Sequence, residues 1–195
     1  MGHYRKVLLL LTTLLAVQNA AVCQRIISGK CPKRRVVSQF ELDKYLGLWY
    51  EISRYEHLDY TPDCDCITLR YTKDDNGSIF VRNCCMIKGN TTEYCAQGIA
   101  MLSRPDENPI KGKLNVEFGT QVTEPNYSIL ATDYYNYALV YHCQKISRRE
   151  AVESAWILAR ERRPVASVQA KINELIDNYL DPVYLYTQNP NECYS

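Results

Sequence analysis

Apolar and aromatic runs of strand length, separated by turn residues, recur along most of this chain. The spacing predicts an antiparallel all-β barrel or sandwich, because each run can offer one face to a core and the other to water. Strands are expected near 48–56, 66–73, 79–87, 93–102, 112–119, 127–132, 136–143 and 154–161. Asp75-Asn76-Gly77 joins the second to the third, and Gly89-Asn90 joins the third to the fourth as a two-residue hairpin turn with glycine first. One segment has a different period. From Pro164 the positions Val165, Val168, Ile172, Leu175, Ile176 and Tyr179 fall three or four apart, which predicts a helix with one buried stripe. Pro164 suits its first turn, where the missing N–H is not needed, and Pro182 is expected to end it.

Gly47-Leu48-Trp49 opens the first run. A small residue followed by a large indole suits the closed end of a barrel, where the backbone bends tightly and a broad ring fills a narrow space. In the last run, alternation puts Trp156, Leu158 and Arg160 on one face. A strand exposing both Trp156 and Leu158 would invite association, so this face is read as the interior. Arg160 then lies at one end of the lumen, with Trp156 roughly 13 Å further along at about 3.3 Å per residue. Its guanidinium can stack on the Trp49 indole, a cation–π contact worth about 2 kcal/mol when shielded from water.

The N-terminus changes the picture by setting a compartment. Arg5 and Lys6 precede an apolar run from Val7 to Val17, and Ala20 and Ala21 follow, the order of a secretory signal. The run is too short to span a bilayer. Cleavage after Cys23 gives a signal peptide over 1–23 and one domain over 24–195. Of nine cysteines this leaves eight: Cys31, Cys64, Cys66, Cys84, Cys85, Cys95, Cys143 and Cys193. An even number in an exported chain predicts disulfides. Zinc is not expected, because Cys64-Asp65-Cys66 has no second matched pair or nearby histidines. Sequons at Asn76, Asn90 and Asn126 agree with export as glycosylation sites.

Loss of Arg5 and Lys6 takes the formal charge from +1 to −1, which argues against nucleic acid or an anionic membrane surface as partner. Enzyme chemistry finds no footing either. The mature chain keeps only His57 and His142, and neither sits in a nucleophile elbow, a zinc-protease helix or a cysteine-protease motif. Asp74-Asp75 and Asp106-Glu107 are paired acids in turns, where solvent gives no means of raising a carboxyl pKa. No cofactor is implied.

Taken in order, Gly47-Leu48-Trp49, Thr132-Asp133-Tyr134-Tyr135-Asn136-Tyr137 and Trp156-Ile157-Leu158-Ala159-Arg160 resemble the three conserved regions of the lipocalin family. Gly29-Lys30-Cys31-Pro32, Lys44-Tyr45-Leu46-Gly47 and Ile129-Leu130-Ala131-Thr132-Asp133-Tyr134 are similar to its apolipoprotein D and bilin-binding branch. The resemblance runs from about Gly29 to Cys193. It implies an eight-stranded antiparallel up-and-down barrel with a C-terminal α-helix packed on its wall; strand spacing alone leaves barrel and sandwich open.

The resemblance also implies disulfides Cys31–Cys143 and Cys66–Cys193. The other four cysteines depart from the pattern. With Gly89-Asn90 as the turn, Cys84 falls opposite Cys95, which predicts a cross-strand bridge and leaves Cys64 and Cys85 unassigned. A Cys85–Cys95 linkage in peptide mapping would refute that pairing. Carried over by resemblance, the ligand-binding residues are Tyr45, Tyr71, Asn83 and Trp156, and the barrel base comprises Gly47, Trp49, Thr132, Asp133 and Arg160. Parity agrees in part: Tyr71 shares a face with Ile67 and Leu69, and Asn83 with Ile79 and Val81.

The expected function is a secreted, extracellular carrier that holds a small hydrophobic ligand, such as a fatty acid, sterol-like lipid or tetrapyrrole, in lipid transport or protection against oxidative stress. Eight strands leave room for packed side chains or for one small ligand, so the two remain open. Glu117 to Tyr127 is polar and lacks tryptophan and methionine, which puts membrane or lipoprotein docking through that loop, and methionine-based scavenging of lipid peroxides, in doubt. The alternative is an extracellular signalling or defence protein whose outer face binds a receptor or inhibits an enzyme.

Overall fold

The computed structural model of the protein describes residues 25–55, 64–75, 77–87 and 92–193. The expected signal peptide over 1–23, His57, the sequons at Asn76 and Asn90, and the Gly89-Asn90 turn lie outside the described residues. Among the described residues, ten strands and two α-helices follow in order: β1 (Arg25–Ser28), α1 (Leu42–Tyr45), β2 (Gly47–Tyr55), β3 (Cys64–Lys73), β4 (Ile79–Ile87), β5 (Glu93–Leu102), β6 (Lys113–Glu117), β7 (Tyr127–Thr132), β8 (Tyr137–Lys145), β9 (Glu150–Ala159), α2 (Ala166–Tyr179) and β10 (Leu185–Thr187). Strands β2 to β9 pair antiparallel with their neighbours in chain order, and β9 returns to pair with β2, closing an eight-stranded barrel. Closure leaves no free edge among those eight, the standing hazard of an open sheet.

Inward residues alternate with outward ones, and the chain sorts its apolar side chains accordingly. The interior cluster gathers Trp49, Ile67, Leu69, Tyr71, Val81, Leu114, Ile129, Val140 and Leu158. A second cluster lies between the outer wall and α2, where Ile172 and Leu175 pack against Leu139, Tyr141, Ala155 and Ile157. Full burial of Ile172 and Leu175 contributes about 1.5–3 kcal/mol each, which holds α2 against the wall.

Several sequence-based expectations need correction. The helix starts at Ala166, so Val165 is its N-cap and is 64% exposed instead of joining the buried stripe. It stops at Tyr179, where the Leu180 N–H bonds the Ile176 carbonyl, and Pro182 opens a separate 3-10 turn. The last barrel strand begins at Glu150, four residues earlier than its apolar run, because β8 and β1 pair with that polar stretch. It ends at Ala159, so Arg160 lies just beyond it. Strands β1 and β10 were not expected at all.

Those two strands matter at the seam. Strand β2 pairs with β3 only from Gly47↔Tyr71 to Tyr50↔Thr68, then the two separate. Strand β10 takes over beside β2, pairing Leu185–Thr187 with Tyr55–Ser53. Just past it, Gln188 fills the gap: its N–H bonds the Ile52 carbonyl at 3.0 Å, its Nε2 donates to Glu51 Oε1 at 2.8 Å, and its Oε1 accepts from the Ile67 N–H at 3.0 Å.

Among the described residues, four disulfides are formed: Cys31–Cys143, Cys64–Cys85, Cys66–Cys193 and Cys84–Cys95. Cys84 and Cys95 are directly opposed in the β4–β5 register, while Cys64 and Cys85, unassigned from sequence, are bonded to each other within the interior cluster. Cys66 has a φ of 57°, inside the irregularity between Asp65 and Thr68, and reaches the tail at Cys193.

Candidate functional site

The closed end is built first. Gly47 has a φ of 98°, and a Cβ there would sit 3.3 Å from Arg160 Nη1, so glycine supplies both the bend and the room. The Arg160 guanidinium lies 3.6 Å from the Trp49 ring centroid. It donates to the carbonyls of Leu48 at 2.7 Å, Leu46 at 2.9 Å, Lys44 at 3.0 Å and Tyr134 at 3.0 Å. Trp49 Nε1 in turn donates to the Tyr45 carbonyl at 2.8 Å. Thr132 Oγ1 donates to the Tyr137 carbonyl, and Asp133 accepts from the backbone of Tyr135, Asn136 and Tyr137. Burial works against the Asp133 carboxylate, but its bonds from Asn136 and the turn outweigh that and hold its pKa below the ordinary value.

Above this base sits a chain of buried phenols. Tyr45 and Tyr127 share a hydrogen bond of 2.8 Å, and Tyr71 donates to Tyr127 at 2.9 Å. The Tyr45 ring centroid lies 5.1 Å from Trp49 and 5.8 Å from Tyr71. Burial drives all three phenols above the ordinary tyrosine range; bonding to Tyr127 partly offsets this for Tyr45 and Tyr71, while their bonds to Tyr127 push that phenol further up. Trp156 stacks on Tyr127 with centroids 6.4 Å apart and planes 18° apart. Trp156 Nε1 and Asn83 Oδ1 are buried with no hydrogen-bond partner among the described residues. Tyr45, Tyr71, Asn83 and Trp156 are thus gathered on the interior face, with Tyr127 as the hub that the sequence reading did not name.

A second feature escaped the sequence reading. Paired residues share a face, and Glu51 pairs with Leu158 while Arg54 pairs with Trp156, so both charged side chains point inward. Arg54 Nη1 bonds Glu51 Oε1 at 2.7 Å, and both residues are almost fully buried. Burial pushes the Glu51 carboxyl up, opposed by Arg54 and Gln188, and Oε2 has no partner among the described residues. The Arg54 guanidinium also lies 4.7 Å from the Tyr186 ring centroid, and Tyr186 donates to Asp65 at 2.6 Å. Parity from Trp49 would have placed Glu51 inside; nothing local flags Arg54.

Three further expectations can be placed. Asn126 uses its carboxamide to bond both the N–H and the carbonyl of Val116, each at 2.8 Å. Cys84, Glu93 and Cys95 cluster at metal-ligand spacing, but both sulfurs are spent in a disulfide. No helix among the described residues is long and apolar enough to cross a membrane.

Comparison with known proteins agrees with this architecture. Residues 40–179 match the Lipocalin-like domain. The chain is 35% identical over 192 residues to apolipoprotein D of Macaca fascicularis, covering 95% of this chain and 96% of that protein. It is 28% identical over 185 residues to the Lazarillo protein of Schistocerca americana, covering 94% and 85%. Among solved structures, insecticyanin of Manduca sexta superposes with a TM-score of 0.73 at 22% identity, covering 85% of this chain and 89% of that one, which bears on the fold. On its barrel, its corked base and these relatives, the chain belongs to the lipocalin family, in the apolipoprotein D-like group.

Proposed function

We propose that the protein is a secreted carrier that holds one small, largely hydrophobic ligand in the barrel lumen, serving lipid transport or protection against oxidative stress. Lipocalins are carrier proteins that bind small hydrophobic ligands in the barrel, and homologous apolipoprotein D is secreted. The observation that carries the reading is the pair of buried, unpartnered polar atoms, Trp156 Nε1 and Asn83 Oδ1, set in an apolar wall of Ile67, Leu69, Val81 and Val140. A buried donor or acceptor left unpaired costs about 1–3 kcal/mol, and a ligand supplying one acceptor and one donor recovers much of it. The apolar body of such a ligand gains about 25 cal/mol per Å² removed from water, before ordering costs. Fatty acids, sterol-like lipids and tetrapyrroles all fit that description.

The signal-like segment over 1–23, the eight cysteines that remain, and the sequons at Asn76, Asn90 and Asn126 support export. The test is extraction of the native protein, native mass spectrometry, and tryptophan-quenching titration with fatty acids, sterols and biliverdin. Quenching is expected in the wild type and diminished in Trp156→Phe. If quenching by every bound ligand is the same in both, Trp156 does not line the pocket. If the native protein carries nothing and binds nothing, the carrier reading fails and action through the outer face takes its place.

A further inference from the structure

Outside the barrel, a cleft of about 370 Å³ lies between β2, the tail that follows β10, and α2. The luminal site makes no use of it. Its apolar surface comes from Ile52 on β2, Ile176 on α2 and Pro190 in the tail. Arg162 and Arg163, from the turn between β9 and α2, bring positive charge. Arg162 is laid against the wall, its guanidinium carbon 4.7 Å from the Tyr50 ring centroid. Its Nη1 is buried without a hydrogen-bond partner among the described residues. Arg163 Nη2 is anchored on Asn191 Oδ1 at 2.8 Å, which holds the second cation in place. The acid among the described lining residues, Glu51, is already ion-paired to Arg54. The unbalanced charge of the cleft is therefore positive.

We propose that this cleft is a second ligand site, separate from the lumen, for a small amphipathic anion: a compact apolar body bearing one carboxylate or sulfonate. Its volume falls at the lower end of small-molecule pockets, which run from about 300 to 1,000 Å³. An anionic oxygen in the cleft pairs with the Arg162 guanidinium, whose Nη1 has no partner among the described residues, in a charge-assisted bond, the strong class of hydrogen bond, with Arg163 adding field. The apolar body covers Ile52 and Ile176, which water otherwise wets. Cationic ligands are rejected by the same pair of guanidiniums.

The test compares two probes by calorimetric titration: anilinonaphthalene sulfonate and its uncharged parent, phenylnaphthylamine. Arg162→Gln removes the charge, and Asn173→Trp fills the cleft from the exposed face of α2, with circular dichroism verifying the fold of each. For the sulfonate, Arg162→Gln is expected to weaken one class of sites by about tenfold or more, and Asn173→Trp to abolish it, with phenylnaphthylamine binding unchanged. Sulfonate isotherms of both variants that superimpose on the wild type would overturn the proposal. Arg162-dependent sulfonate binding without any phenylnaphthylamine binding would support the cleft and count against the luminal carrier alone.

Discussion

The buried phenols of Tyr45, Tyr71 and Tyr127 make the barrel sensitive to alkali in a calculable way. An unfolded tyrosine loses its proton near pH 10, whereas burial holds these three above that value in the folded chain. Above about pH 10 the folded state therefore binds more protons than the unfolded state, and stability falls as pH rises. Below it the contribution is fully present. At about pH 11 each phenol that stays protonated costs about 1.4 kcal/mol, or about 4 kcal/mol for the three together. That is a large share of a typical stability of about 5–15 kcal/mol. The assay is denaturant unfolding at about pH 8.5, 10 and 11, with ultraviolet absorbance reporting tyrosinate. Tyr127→Phe tests the assignment. It removes the hub, so it should destabilise by about 1–2 kcal/mol near neutrality, yet lose stability less steeply at high pH because one proton is gone. The reasoning fails if all tyrosines of the folded protein titrate together near pH 10, or if the variant and wild type lose stability with the same slope.

Three further outcomes follow from the same contacts. Arg160→Ala strands four backbone carbonyls and removes the cover of Trp49, and is expected to cost about 3–5 kcal/mol by chemical denaturation. Glu51→Gln leaves the Arg54 charge buried and should destabilise by about 3 kcal/mol; adding Arg54→Met should recover most of that, measured as a double-mutant cycle. Gly98→Ala drives a Cβ into the Glu117 carbonyl oxygen and to 2.8 Å from Phe118, so it should lower the melting temperature measurably, while Gly119→Ala meets no atom within 4 Å and is strained only by its φ of 79°.

Much of the architecture was legible because a few residues each admit one physical role. A strand face exposing both Trp156 and Leu158 invites association, so that face, Arg160 included, is read as interior, and the stacking of Arg160 on Trp49 at 3.6 Å marks the closed end. The stripe Val168, Ile172, Leu175, Ile176 and Tyr179 had to find an apolar surface, and the outer wall supplies it. Strands β1 and β10 were illegible for the opposite reason: four and three residues carry too little alternation, and what makes them strands is pairing with β9 and β2, distant in sequence. Glu150 and Glu153 likewise hid the start of β9. Their polar side chains break the apolar run, yet Glu153 is buried because Arg25 bonds it at 2.7 Å and Tyr141 at 2.5 Å.

Arg54 shows how one backbone irregularity rewrites a site. Strict alternation from Trp49 sends Glu51 and Ser53 inward and Arg54 out. In that arrangement Glu51 would be a lone carboxylate in an apolar barrel, a state costing several kcal/mol unless it were protonated. The β2–β9 register instead slips between Glu51 and Ser53, so Ser53 faces outward with Ile157 and Arg54 faces inward with Trp156. A bulge is invisible to periodicity, because it consists of one extra residue in the strand. Here it brings a cation three residues along the chain onto the carboxylate at 2.7 Å, and it does so where β2 leaves β3 and Gln188 can bond the same oxygen. The slip therefore explains together why a charged pair lies within the lumen, why the tail must return to the seam, and why residue types alone gave no hint of either.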